Sequence, residues 1–182
     1  MKLFTVLPLA LALACSSPAE SAKADPPVNH QQITDRYTKE IWPAIADYND
    51  NHSQGSAPYK KFGSIMDPSL LGPDSTGGML PLMEAAQRLG QQGVYDQQTQ
   101  TSNYNDGLHL GNVDAVAING NTATLNVCYT YTHFWYVNSD NTQSRAAVSE
   151  ATMQLVSVNN AWYLHAITDD HFVSGCTASQ KA

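Results

Sequence analysis

Positive charge is scarce in this chain. Nine lysines and arginines stand against sixteen aspartates and glutamates, a formal net charge of -7 over 182 residues. With no basic stripe to displace counterions from phosphates, nucleic-acid binding is not expected, and an anionic lipid surface repels the folded chain. Long apolar runs are also missing. The one extended stretch, Leu3–Ala14, falls short of the roughly 20 residues that a bilayer-spanning helix needs. Cysteine is limited to three residues. There is no C-x-x-C, no H-E-x-x-H and no tight Cys/His cluster, so no metal site is expected. No glycine motif cradles a phosphate, and Ser64 and Ser75 lack the context of a nucleophile elbow. No cofactor is expected. Hydrophobic residues nevertheless make up 42% of the chain, which is too many for a disordered protein and enough for one packed domain.

What is present begins with an export signal. Met1-Lys2 is a short charged start, and Leu3–Ala14 fits the apolar region of a bacterial secretory signal. Pro8 and the Ser/Pro/Ala/Lys stretch that follows argue against a buried helix there. Two processing sites compete. Ala12-Leu13-Ala14-Cys15 matches a lipobox in part and would leave Cys15 lipidated, with the residues up to Ala24 as a tether. Ala22-Lys23-Ala24 is an A-x-A cleavage pattern. Residues 1–24 are therefore expected to be signal peptide and tether, and residues 25–182 one domain. Contact with a membrane would come only through the lipid anchor. The protein is expected in the cell envelope, either anchored to the membrane or extracellular.

Removing Cys15 by lipidation or cleavage leaves Cys128 and Cys176. In an oxidising compartment an even pair predicts a disulfide.

Along the mature chain, Ile33, Tyr37, Ile41, Ile45 and Tyr48 recur at helical spacing. They predict a helix over Gln31–Asp50, capped by Asn29 and kinked near Trp42 by Pro43. Asn51–Gly78 reads as loop, with Phe62, Ile65, Met66, Leu70 and Leu71 anchoring at most a short helical turn. A second helix is predicted over Leu80–Leu89, ended by Gly90 or Gly93. After Tyr95 the pattern turns to alternation. Gln97–Asn105, polar and low in complexity, reads as a loop or edge strand. Strands are predicted over Val113–Ile118, Thr122–Val137, Ala146–Val158 and Trp162–Thr168. Turns fall at Asn119-Gly120-Asn121, Asn138–Thr142 and Asn159-Asn160. Helices first and a strand meander after predict an α+β fold, with helices packed on one face of a curved antiparallel sheet that forms a cone with an apolar mouth.

The run Val116-Ala117-Ile118-Asn119-Gly120-Asn121-Thr122-Ala123-Thr124-Leu125-Asn126-Val127 resembles the hairpin of nuclear-transport-factor-two-like (cystatin-like) domains. The closing Asn160-Ala161-Trp162-Tyr163-Leu164-His165 strand resembles theirs as well. The resemblance covers about Asn112–Cys176 and the helices loosely. It implies the same cone-shaped fold, but it does not imply one function, because that superfamily holds enzymes, ligand binders and adaptors alike. The Ala24-Asp25-Pro26-Pro27 junction resembles exported proteins of mycobacteria and their relatives, many of which carry such a domain as envelope lipoproteins.

Candidate functional residues follow from the long strand. His133 shares its apolar face with Tyr129, Tyr131 and Trp135. It reads either as a general base at the bottom of a cone or as a core histidine bonded to a tyrosine. The Tyr129-Tyr131-Trp135 stripe, with Tyr37 and Trp42 of the first helix, reads either as pocket lining or as plain core. Asp169-Asp170-His171 is the one compact acid/His cluster, and it reads as a rim site or as a solvated turn. Asn51-His52-Ser53 matches a glycosylation acceptor by chance. The expected function is non-catalytic binding of a small apolar ligand or an envelope protein partner. The alternatives are a cyclase-, isomerase- or dehydratase-like enzyme using His133, and a surface interaction factor such as a phage exclusion lipoprotein.

Overall fold

A computed structural model describes residues 30–72, 78–138 and 140–176. Asn29, Cys15 and both processing sites lie outside the described residues. The fold is α+β: helices packed on a strongly curled, antiparallel half-barrel sheet. No described helix is long and apolar enough to cross a membrane.

The first helical run is unbroken. It joins α1 (His30–Arg36) to α2 (Trp42–Asn51) through a π-helical turn at Tyr37–Ile41. Pro43 is the physical reason. Its ring crowds the carbonyl of Lys39 and it has no N–H to donate. The helix widens in the preceding turn, where the Trp42 N–H reaches the Tyr37 carbonyl, so the expected kink or break is absorbed as a π-turn. Ile33, Tyr37, Ile41, Ile45 and Tyr48 thereby stay on one buried face.

The stretch read as loop contains a helix, α3 (Ser56–Ile65). Pro58 lies in its first turn, where a missing N–H costs no hydrogen bond, and Gly63 faces open space. The helix is held by Phe62, whose ring stacks on Tyr48 at 4.5 Å. A 3₁₀ turn follows at Pro68–Leu71. α4 (Met79–Arg88) then runs into a 3₁₀ turn at Leu89–Gln91, where Gly90 takes the left-handed conformation at φ 61°.

Six strands follow: β1 (Val94–Asp96), β2 (Thr101–Asn105), β3 (His109–Asn119), β4 (Thr122–Tyr136), β5 (Thr142–Val158) and β6 (Ala161–Phe172). The sheet order is β1-β2-β4-β5-β6, and β3 also pairs with β4. The polar tract Gln97–Asn105, expected as a loop or edge strand, is a turn through Gln100 and then β2, which is not at an edge but between β1 and β4. β4 organises the sheet. β3 pairs with its first part, β2 with its last part (Asn105 opposite His133, Ser102 opposite Tyr136), and β5 with its whole length. Register shifts in the β3–β4 and β5–β6 ladders curl the sheet. Asn159 and Asn160 both take positive φ, which suits the tight hairpin between β5 and β6.

Alternation on β4 sends Ala123, Leu125, Val127, Tyr129, Tyr131 and His133 to the concave face of the sheet, where all six are buried. Cys128 points the other way and is bonded to Cys176, which ties the end of the chain to the outer face of the central strand. Gly111 leaves room for this bridge, since a Cβ there would lie 2.6 Å from the Cys176 Sγ.

Candidate functional site

The helices do not cover the whole concave face. β6 pairs with β5 only as far as Ser149 opposite Phe172, so the distal end of the sheet is formed by β1, β2, β4 and the first part of β5. Directly opposed residues of antiparallel strands point to the same side. The rows Asn105–His133–Arg145 and Asn103–Trp135–Gln143 therefore share the concave face. Between them is an open hollow of about 300 Å³, lined by Asp96, Thr99, Thr101, Asn103, His133, Trp135 and Arg145.

His133 is 7% exposed at the floor of this hollow. Its Nε2 lies 2.9 Å from the Asn103 Oδ1, and the Asn103 Nδ2 donates to the Val94 carbonyl. That second bond fixes the amide orientation, so Oδ1 accepts and Nε2 carries the proton. Nδ1 is left as a buried lone pair with no hydrogen-bond partner among the described residues. Burial, and then the charge of Arg145, push the imidazole pKa below its usual value and keep the ring neutral at pH 7. The partner of His133 is an asparagine, and neither a tyrosine nor a carboxylate fills that role. The ring stands 5.3 Å from Trp135 and 5.7 Å from Phe172. Arg145 closes the wall, with its guanidinium 5.8 Å from the Trp135 centroid and 5.2 Å from that of Phe172.

The other aromatic candidates sit deeper. Tyr37, Trp42, Tyr129 and Tyr131 form a packed chain, with centroid separations of 6.3 Å, 5.4 Å and 5.7 Å in that order. All four are buried under the helices, so the structure brings His133 and Trp135 to the hollow and places these four in the core. Tyr131 shares a 3.0 Å hydrogen bond with Ser149. The Tyr129 hydroxyl accepts from the Gly90 N–H at 3.0 Å and donates to Asp170 at 2.5 Å. Burial, and then the Asp170 charge, push the Tyr129 pKa far up, so the phenol remains a fixed donor. Among the described residues the Tyr37 hydroxyl has no hydrogen-bond partner. Removing a buried, unpaired hydroxyl removes a desolvation cost. Tyr37→Phe is therefore expected to stabilise the fold by about 1 kcal/mol, and thermal unfolding would show a Tm higher by roughly 2–4 °C. A lower Tm would mean that the hydroxyl is solvated or bonded in solution.

Asp169-Asp170-His171 lies within β6 and is not a solvated turn after the last strand. Asp169 takes φ 54° at the register shift in the β5–β6 ladder. This irregularity lets Asp170 turn inward to Tyr129, while His171 stays exposed and bonds the Asp169 carbonyl. Burial of the Asp170 carboxyl raises its pKa, although the residue keeps an exposed flank.

Two functional-looking features escaped sequence reasoning. Arg145 is isolated in a polar stretch, and only the β4–β5 register puts it opposite His133. Asp67 and His165 are far apart in sequence, yet Nδ1 of His165 lies 2.7 Å from the Asp67 Oδ2, beside a second hollow of about 370 Å³. Burial acts to raise the Asp67 pKa, but hydrogen bonds from Ser69 and His165 outweigh it and hold the carboxyl below its usual range. Asp67 also caps the 3₁₀ turn through the Ser69 N–H, and its own N–H bonds the Leu164 carbonyl. The pair thus fastens the segment after α3 to β6. Among the described residues, no group of three or more His, Cys, Asp or Glu is placed to hold a metal ion.

No protein-family model matches the chain, and no curated protein matches it significantly.

Proposed function

We propose that the chain is an exported, non-catalytic binding protein of the nuclear-transport-factor-two-like kind, and that the hollow at the open end of its half-barrel takes a small, largely apolar ligand. One observation carries this reading: a concave hollow floored by a buried neutral histidine and walled by Trp135. Concave sites with aromatic walls and a few fixed polar groups suit small ligands. A carboxylate partner is what raises the basicity of a histidine that serves as a general base. His133 is instead tied to the amide of Asn103, which favours binding over the isomerase-like alternative. The Cys128–Cys176 disulfide supports an oxidising destination, and we propose lipid attachment at Cys15 as the means of anchoring in the envelope.

Native mass spectrometry of the full chain, produced with its own leader in a bacterial host and recovered from the envelope or medium, tests the reading. The expected result is a discrete added mass that disappears on denaturation and is lost in Trp135→Ala. A bare mass in the wild type, with the disulfide intact, would count against a ligand-filled hollow and turn the search to protein partners.

A further inference from the structure

We infer that the ligand of the open-end hollow carries a carboxylate, and that Arg145 receives it. This rests on the binding reading above. Arg145 lines the hollow, yet among the described residues no carboxylate lies within ion-pair distance of it. Its guanidinium lies over the rings of Trp135 and Phe172. Contact with aromatic faces restrains the group without using up its N–H donors. A planar fork of donors fits a carboxylate through two parallel hydrogen bonds.

The other polar groups around the hollow set the ligand's orientation and limit its charge. His133 is neutral, so Arg145 is the cation of the wall. Asp96 is the acid of the wall. Its Oδ1 accepts from the N–H groups of Thr99 and Gln98, which hold it ionised and engaged with its own turn. An anionic ligand is therefore drawn to the Arg145 side, with its apolar body against Trp135. A singly charged carboxylate meets less opposition from Asp96 than a doubly charged phosphate would.

Three related probes separate the possibilities: 2-naphthoate, its neutral methyl ester and 2-naphthyl phosphate. Each is titrated into the full-length protein at low ionic strength, following the Trp135 indole signal and the Asn103 and His133 amides by NMR. The expected result is that 2-naphthoate binds, that Arg145→Gln weakens it at least 10-fold, and that added salt does the same. Binding of the ester should be unchanged by the substitution. Arg145 is exposed, so the variant is expected to fold. Equal binding of acid and ester, both insensitive to Arg145→Gln, would overturn the carboxylate assignment and leave the hollow as an apolar site. Tighter binding of the phosphate, with the same dependence on Arg145, would overturn the choice of anion. If no probe moved these signals, the assignment and the binding reading would fall together.

Discussion

Replacing Cys128 and Cys176 together by serine is expected to lower the unfolding free energy by about 4 kcal/mol. The bridge closes a loop with a sequence separation of 48, and a cross-link of that span removes much of the freedom of the unfolded chain. For a chain of this size, the loss corresponds to a fall in Tm of roughly 8–16 °C. The effect is expected to be large here for a local reason as well. Cys128 sits at the middle of β4 on the outer face, opposite Asn112 of β3 and Glu150 of β5, so the bridge secures the chain end against the strand that pairs with most of the sheet. Among the described residues past Phe172, one backbone bond holds the chain to the sheet, from the Val173 N–H to the Val148 carbonyl. Urea unfolding of the double variant, beside the wild type with and without reductant, measures the effect. A wild type that is insensitive to reductant, with a variant less than 1 kcal/mol weaker, would show that the bridge does not form in solution or constrains nothing.

The parts of the fold that could be read from sequence are those where one periodicity dominates. The buried stripe of the first helix and the alternation of β4 each repeat often enough to specify a face, and the tight turns are marked by Asn and Gly. α3 was hidden because Pro58 and Gly63 look like loop residues. One lies where a helix tolerates proline and the other faces open space, and the helix is settled by contacts that exist only after folding, among them the stacking of Phe62 on Tyr48 and the burial of Ile65. β2 was legible only as a loop or edge strand, because its asparagines carry no apolar signal that marks an inner strand. Asn103 and Asn105 are nevertheless buried, because each has partners that exist only after folding: Val94 and His133 for the first, Asn49 and the end of α4 for the second. The hollow was half legible for the same reason. His133 and Trp135 belong to a visible stripe, whereas Asn103 and Arg145 join them through register alone.

Asn49→Leu is expected to cost about 3 kcal/mol, although it replaces a fully buried polar residue by an apolar one of similar size. The last carbonyls of a helix have no partner within it and must be satisfied from outside. At the end of α4 the donor is the Asn49 Nδ2, which lies 3.0 Å from the Ala86 carbonyl, 2.9 Å from that of Gln87 and 3.0 Å from that of Leu89. Its Oδ1 accepts from the Asn105 Nδ2, which also approaches the Leu89 and Gly90 carbonyls. Leucine would leave these carbonyls buried with fewer donors than they need, and such groups bear the full cost of desolvation. The two asparagines share a hydrogen bond, so Asn49→Leu combined with Asn105→Leu should cost less than the sum of the two single changes. The damage should also reach the hollow. Asn105 positions β2, β2 carries Asn103, and Asn103 holds the ring of His133. Urea unfolding gives the stability change, and the Trp135 indole signal in the folded variant reports on the site. A cost under 1 kcal/mol would mean that water satisfies the end of α4. A large cost with an unmoved indole signal would mean that the hollow is held by the β2–β4 ladder independently of the helix end.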